Sequence, residues 1–175
     1  MNKKKAIAVI SKSKGINLYQ LADGSKWLSN GYVAYNMGNL PWCEKSEEVA
    51  ALLGLTPKQE SDAHINIASS APLFEDNEVV ETLEHSLVSI AFSDTYEIFI
   101  RDSGELLFVK KAWLAPFDGE ATYKLVRSGE YEYIRIDYGF INAGFIGAEN
   151  PIGYKVRELK RIAAGLSKLK EDNND

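Results

Sequence analysis

Apolar and polar residues alternate with period two over most of the chain and follow the helical period only in short stretches. That pattern predicts an α+β protein of antiparallel sheets with two or three helices. Ala6–Ile10 and Ile16–Leu21 read as short strands around a Ser/Lys/Gly turn, and Asp23-Gly24 turns the chain into Lys26–Ser29. Asn30-Gly31 predicts a tight hairpin, because both residues tolerate positive φ, with Tyr32–Met37 as the return strand. This meander sets Tyr19, Trp27, Tyr32 and Tyr35 on one aromatic face.

Ser46 reads as the N-cap of a helix that ends at Gly54, with Glu47 and Glu48 in its first turn and Val49, Leu52 and Leu53 along its apolar stripe. Thr56-Pro57 starts another helical turn. His64–Ala68 alternates weakly, and Ser69-Ser70-Ala71-Pro72 marks an internal boundary. The expected organisation is a β-rich half over 1–72, with its helix near 46–54, and a second half over 73–175, within one compact unit.

In the second half Glu78–His85 predicts a helix with Val79, Val80 and Leu83 on one side. Strands follow at Leu87–Phe92, Tyr96–Arg101 and Glu105–Val109, then a short helix over Lys110–Phe117 broken at Pro116. Thr122–Arg127, Tyr131–Tyr138 and Phe140–Ala148 form the clearest β region. The apolar phase slips from Tyr131/Tyr133 to Ile134/Ile136/Tyr138, which predicts a bulge near Tyr133. Tyr154 to Leu169 predicts a terminal helix with Leu159, Ile162, Ala163, Leu166 and Leu169 on its core stripe.

Composition narrows this picture without changing it. The chain has 175 residues, 45% of them hydrophobic and 26% charged, which fits a folded domain rather than a disordered chain. One cysteine, Cys43, forms no intrachain disulfide and builds no Cys-spaced zinc site. Ala6–Ile10 is too short for a secretory apolar core, and no stretch reaches the length of a membrane span, so a cytoplasmic protein is expected.

Charge changes the picture more. The net charge is −5, yet 73–105 holds nine acids and the single base Arg101, while 154–171 holds six bases and two acids. An acidic body with a basic terminal helix points to a nucleic-acid surface on one face, set against an ordinary solvated amphipathic helix.

Candidate chemistry is sparse. Cys43 with His64 or His85 would need the fold to bring them together, and Cys43 reads more simply as a small part-buried thiol. Glu81 and His85, four apart on the expected helix, could share a metal but read better as an ion pair. Gly139, Gly144 and Gly147 lie in or beside strands and suit bulges or tight crossings rather than a phosphate cradle. Tyr32, Tyr35, Tyr131, Tyr133 and Tyr138 could stack bases, but few cations accompany them, so packing is the expected role. No residue set selects a catalytic, cofactor or metal site.

A family resemblance rests on 105–151. LLFVKKAWLAPF, followed by TYKLVR, YEYIRIDY and FINAGFIGAENP, gives a β-α-β-β-β succession that resembles the repeating unit of DNA sliding clamps. KWLSNGYVAYNMGNLP and SEEVAALLGL resemble uncharacterised phage and prophage proteins. The resemblance implies two clamp-like sub-halves and a non-enzymatic accessory or processivity factor that touches duplex DNA phosphates. The residues carrying that contact would be Lys155, Arg157, Lys160 and Arg161. The chain is short beside a three-domain clamp subunit, so a ring would take several copies, and Ser46–Gly54 is too acidic to be a second DNA-facing helix. Two other readings stand beside it. One is a protein-interaction module, a dimer being one form of it, that uses strand edges or the Trp27/Tyr32/Trp42 region; the other is an enzyme assembled from scattered acids.

Overall fold

A computed structural model describes residues 1–69, 77–91, 94–117 and 119–148. The expected α+β class holds: antiparallel pairing dominates, and four helices occur among the described residues. In chain order the elements are α1 (Lys3–Ile10), β1 (Gly15–Gln20), β2 (Lys26–Ser29), β3 (Val33–Gly38), α2 (Ser46–Leu53), α3 (Pro57–Asp62) and β4 (His64–Ala68). The second half gives β5 (Glu78–Thr82), β6 (Glu84–Ala91), β7 (Thr95–Ile100), β8 (Leu106–Lys110), α4 (Lys111–Leu114), β9 (Thr122–Ser128), β10 (Tyr131–Tyr138) and β11 (Ile141–Ile146).

The first correction is at the start of the chain. Ala6–Ile10, expected as a strand, is the body of α1. Asn2 caps it, its Oδ1 accepting from Lys5 N at 3.1 Å. Ala6 and Ile10, four residues apart, both point into the core. The β preference of Ile7 and Val9 yields to that burial. Backbone N of Asn2 also donates to Pro116 O at 2.7 Å, which ties the helix start to the segment after α4.

α2 and α3 sit where expected, with Gly54 left-handed at φ 65° as the stop and Thr56 Oγ1 accepting from Gln59 N. Lys45, rather than Ser46, occupies the cap position of α2, and Glu48 Oε2 accepts from the backbone N of Glu44 and Lys45. The helix expected over Glu78–His85 is instead two strands. Val79, Val80 and Thr82 are β-branched, and β9 offers a ladder for them. Leu83, buried between β5 and β6, donates its N–H to Tyr123 O and carries the chain from one sheet to the other.

The larger sheet has the order β4-β1-β2-β3-β11-β10-β9-β5, and the smaller is β6-β7-β8. Four strands from before residue 69 meet four from after residue 77 where Tyr35 pairs with Gly144 and Val33 with Ile146. The β-α-β-β-β succession is present from Leu106 to Ile146, but β8 pairs with β7 in the small sheet while β9–β11 meander in the large one. The β2–β3 turn centres on Gly31-Tyr32, one residue later than expected. Asn30 Oδ1 accepts from the N–H groups of both Tyr32 and Val33.

The bulge expected near Tyr133 lies farther along. Ile136 pairs with Gly144 and Asp137 with Asn142, so Ala143 is the extra residue on β11. Ile136 and Asp137, successive on β10 and so on opposite faces of the sheet, are both buried. Gly144 meets the expectation of a tight crossing: a Cβ there would lie 2.6 Å from Phe117 Cζ and 2.9 Å from Ala34 O.

One face of the large sheet turns Ile16, Leu18, Leu28, Tyr35, Leu125, Ile134 and Ile136 into a shared core with α1, α2 and α4. Each such side chain contributes about 1.5–3 kcal/mol by leaving water. Tyr35 Oη donates to Trp113 O at 2.8 Å, and burial pushes its pKa far above the ordinary tyrosine value. The other face holds Trp27, Ala34, Val126 and Phe145. The expected single aromatic face is therefore divided: Trp27 pairs with Tyr19 on one side, Tyr35 lies on the other, and Tyr32 stacks on Trp113.

Candidate nucleic-acid interface

Lys155, Arg157, Lys160 and Arg161, the expected phosphate contacts, lie outside the described residues, as does the terminal helix that would carry them. The described chain nevertheless separates its charge into two kinds, engaged and free.

The acidic stretch is engaged. Arg101 follows β7 in the small sheet, and its Nε lies 2.7 Å from Glu81 of β5, while Nη1 lies 3.1 Å from Glu105 and 3.3 Å from Glu132 of β10. It therefore ties the two sheets together. Glu81 also accepts from Asp102 N at 2.7 Å, and that bond, with Arg101, holds its carboxyl below the ordinary value.

Glu97 is a second such centre, built by an irregular β6. His85 pairs with Phe99 and Ser89 with Glu97, so β6 spends two extra residues across that interval. As a result His85 Nε2 (2.8 Å), Ser89 Oγ (3.1 Å) and Lys111 Nζ (3.0 Å) all converge on one carboxylate. Burial pulls the Glu97 pKa up, but Lys111, His85 and Ser89 pull it further down, so the group stays below its ordinary value. Asp137, 1% exposed, lies between Arg135 (2.8 Å) and Lys124 (2.9 Å). There too burial opposes ionisation, and the two cations outweigh it.

These contacts dispose of the small chemical constellations. Glu81 and His85 share no helix face; each has its own partner. The Cys43 thiol is buried against Pro41 O, with burial first and Glu48 second pushing its pKa up, and His85 is taken by Glu97. No group of three or more His, Cys, Asp or Glu that could hold a metal occurs among the described residues.

The N-terminal segment is free. Lys3, Lys4, Lys5, Lys12 and Lys14 are exposed, and no acid precedes Asp23 in the sequence. None of the five has a carboxylate partner among the described residues. Lys4, Lys5 and Ala8 share the solvent face of α1 opposite Ala6 and Ile10, with Lys12 just beyond its end. Because 3–10 is helical, the fold has a basic helix where a strand was expected.

Exposed apolar residues complete the surface. Trp27 is buried and Trp42 packs partly on the core, so the expected Trp27/Tyr32/Trp42 patch is not formed. Val79 and Val80 are instead exposed on β5, the outer strand of the large sheet. Tyr32 and Tyr131, expected as packing residues, are each 63% exposed, while Phe140 and Ile141 stand out at the β10–β11 turn. Sequence reasoning missed α1 and Phe140, though Asn2 three residues before Lys5 and Gly139 before Phe140 were signals for the cap and the turn. No family model, curated protein or solved structure matches the chain.

Proposed function

We propose that this protein is a non-catalytic accessory factor that holds duplex DNA through its phosphates, in the clamp-like manner implied for a phage or prophage protein. The contacts are Lys3, Lys4, Lys5, Lys12 and Lys14, together with Lys155, Arg157, Lys160 and Arg161. One observation carries the reading: α1 places three lysines and no acid in its first turn. Cations there oppose the helix dipole, at roughly 0.3–1 kcal/mol each. A local rule broken without a structural partner is what a surface selected for binding looks like.

Anisotropy of labelled duplex DNA at two salt concentrations tests it. Engaging about five phosphates gives a log–log salt slope of about −4.5, and Lys4→Glu/Lys5→Glu flattens that slope. Salt-independent binding, or none, removes the proposal. A second reading, a protein-interaction module acting through strand edges, is favoured by Val79 and Val80 on the outer strand β5. It predicts a concentration-dependent mass in light scattering that Val80→Lys abolishes.

A further inference from the structure

We infer that the β10–β11 turn is a base-stacking finger: Phe140 stacks on an unpaired base while the α1 lysines hold the flanking phosphates, so the DNA this surface holds is bound more tightly where its bases are unpaired than as intact duplex. The inference rests on the reading of α1 as a phosphate-binding surface and adds what that surface selects.

Tyr138 pairs with Ile141, which leaves Gly139-Phe140 as a two-residue turn, with Gly139 at φ 58°. Such turns are ordinarily polar, built from Asn, Asp or Gly. Here Phe140 is 106% exposed and Ile141 67%, so the ring is open to solvent. The turn is also held firmly. Immediately before it, Asp137 is fixed by Arg135 and Lys124, and Asn36 Nδ2 donates to Asn142 O at 2.9 Å from the neighbouring strand.

The same hydrogen bond places the finger relative to the lysines. Asn36 beside Asn142 brings the register to within two residues of Gly38 on β3 and of Phe140 on the other side. Lys3 Nζ lies 3.5 Å from where a Cβ on Gly38 would stand. The α1 start and the finger therefore occupy one end of the large sheet. Lys26, paired with Gly38, adds a cation at that end. Exposed Asp23 lies near that end too, its Oδ1 accepting from Ser25 N at 2.8 Å.

An exposed aromatic ring at the same end of the sheet as ammonium groups matches a base flanked by phosphates, and every base offers a face to stack on. An anionic lipid surface shares the charge, but attachment there scales with buried apolar area, and two side chains offer little.

The test compares wild-type protein, Phe140→Ser and Phe140→Trp on labelled oligo-dT, on a duplex of equal length and on phosphatidylcholine–phosphatidylserine vesicles. Wild type binds oligo-dT more tightly than duplex, on the order of tenfold. Phe140→Ser removes that preference and leaves duplex affinity and its salt slope unchanged; Phe140→Trp keeps the preference and adds a fluorescence quench on oligo-dT. Equal binding of both DNAs by wild type and Phe140→Ser overturns the finger and leaves the lysine surface standing. Absence of binding to either DNA overturns the lysine surface as well. Phe140-dependent vesicle binding without oligo-dT binding overturns the inference in favour of a membrane surface.

Discussion

Around Arg101 three carboxylates share one guanidinium, whereas along α1 and its following turn five lysines have no carboxylate partner among the described residues. Both regions look alike in a charge map, as blocks of one sign. In the fold they differ in kind. Glu81, Glu97 and Asp137 have each been given cations or donors, all three centres span separate elements, and their ionised forms are favoured over burial. Among the described residues these lysines have no carboxylate partner, and those in the first turn of α1 oppose the helix dipole, so their charge does not favour the fold. Glu97 and Asp137 are buried parts of the fold, whereas the lysines of α1 and its following turn are surface.

Asp137→Ala should break this contrast most severely, because Lys124 and Arg135 lose their buried partner at a cost of about 3 kcal/mol, read as a lowered urea midpoint. Arg101→Met comes next, releasing the small sheet from Glu81 and Glu132. Screening by solvent limits the cost to about 1 kcal/mol, and amide exchange in β6–β8 should rise more than in β1–β3. Acid should act on the same centres. A carboxyl whose pKa is lowered on folding contributes stability above its unfolded pKa and loses it as pH falls through the folded one. Melting temperature should therefore drop below about pH 4, and Glu97→Gln should make that drop shallower. The smallest effect has the opposite sign. Lys4→Glu/Lys5→Glu should leave stability unchanged or raise it by about 0.5 kcal/mol, because acids suit a first helical turn. A large loss of stability in that variant would show that the lysines are structural after all.

How much of this was legible follows from which forces decide each element. The β9–β11 meander could be read because Ser128-Gly129 and Gly139 punctuate strong alternation, and Gly54 and Thr56-Pro57 mark helix ends by backbone chemistry alone. α1 was hidden by Ile7, Val9 and Ile10, whose β preference is overruled by the burial of Ala6 with Ile10 and by a cap two residues from the chain start. Glu78–His85 misled in the opposite direction: the helical spacing of Val79, Val80 and Leu83 is outweighed by the ladder that β9 supplies to Glu78–Thr82. At the candidate interface, the surplus of lysines was visible from the residues but their lack of partners was not. That property belongs to the arrangement of the acids, which only tertiary contacts fix. Glu97 shows the same limit, since His85 and Ser89 reach it only through the two-residue irregularity of β6.

The seam between β3 and β11 also sets a timetable. Asn36 and Asn142, bonded across it, are 106 residues apart in sequence. Closing a loop that long costs entropy before the seam returns any contact energy, so the step that joins the sheet halves should be late and slow. On the ribosome β3 emerges long before its partner exists, and its open edge must wait for most of the chain to be made. During that interval Val33, Ala34 and Tyr35, buried in the finished protein, are exposed to any other strand in reach. Yield from refolding should therefore fall with protein concentration, and a strand-capturing chaperone should find its target there rather than at β10, which pairs with β9 and β11 through short hairpins.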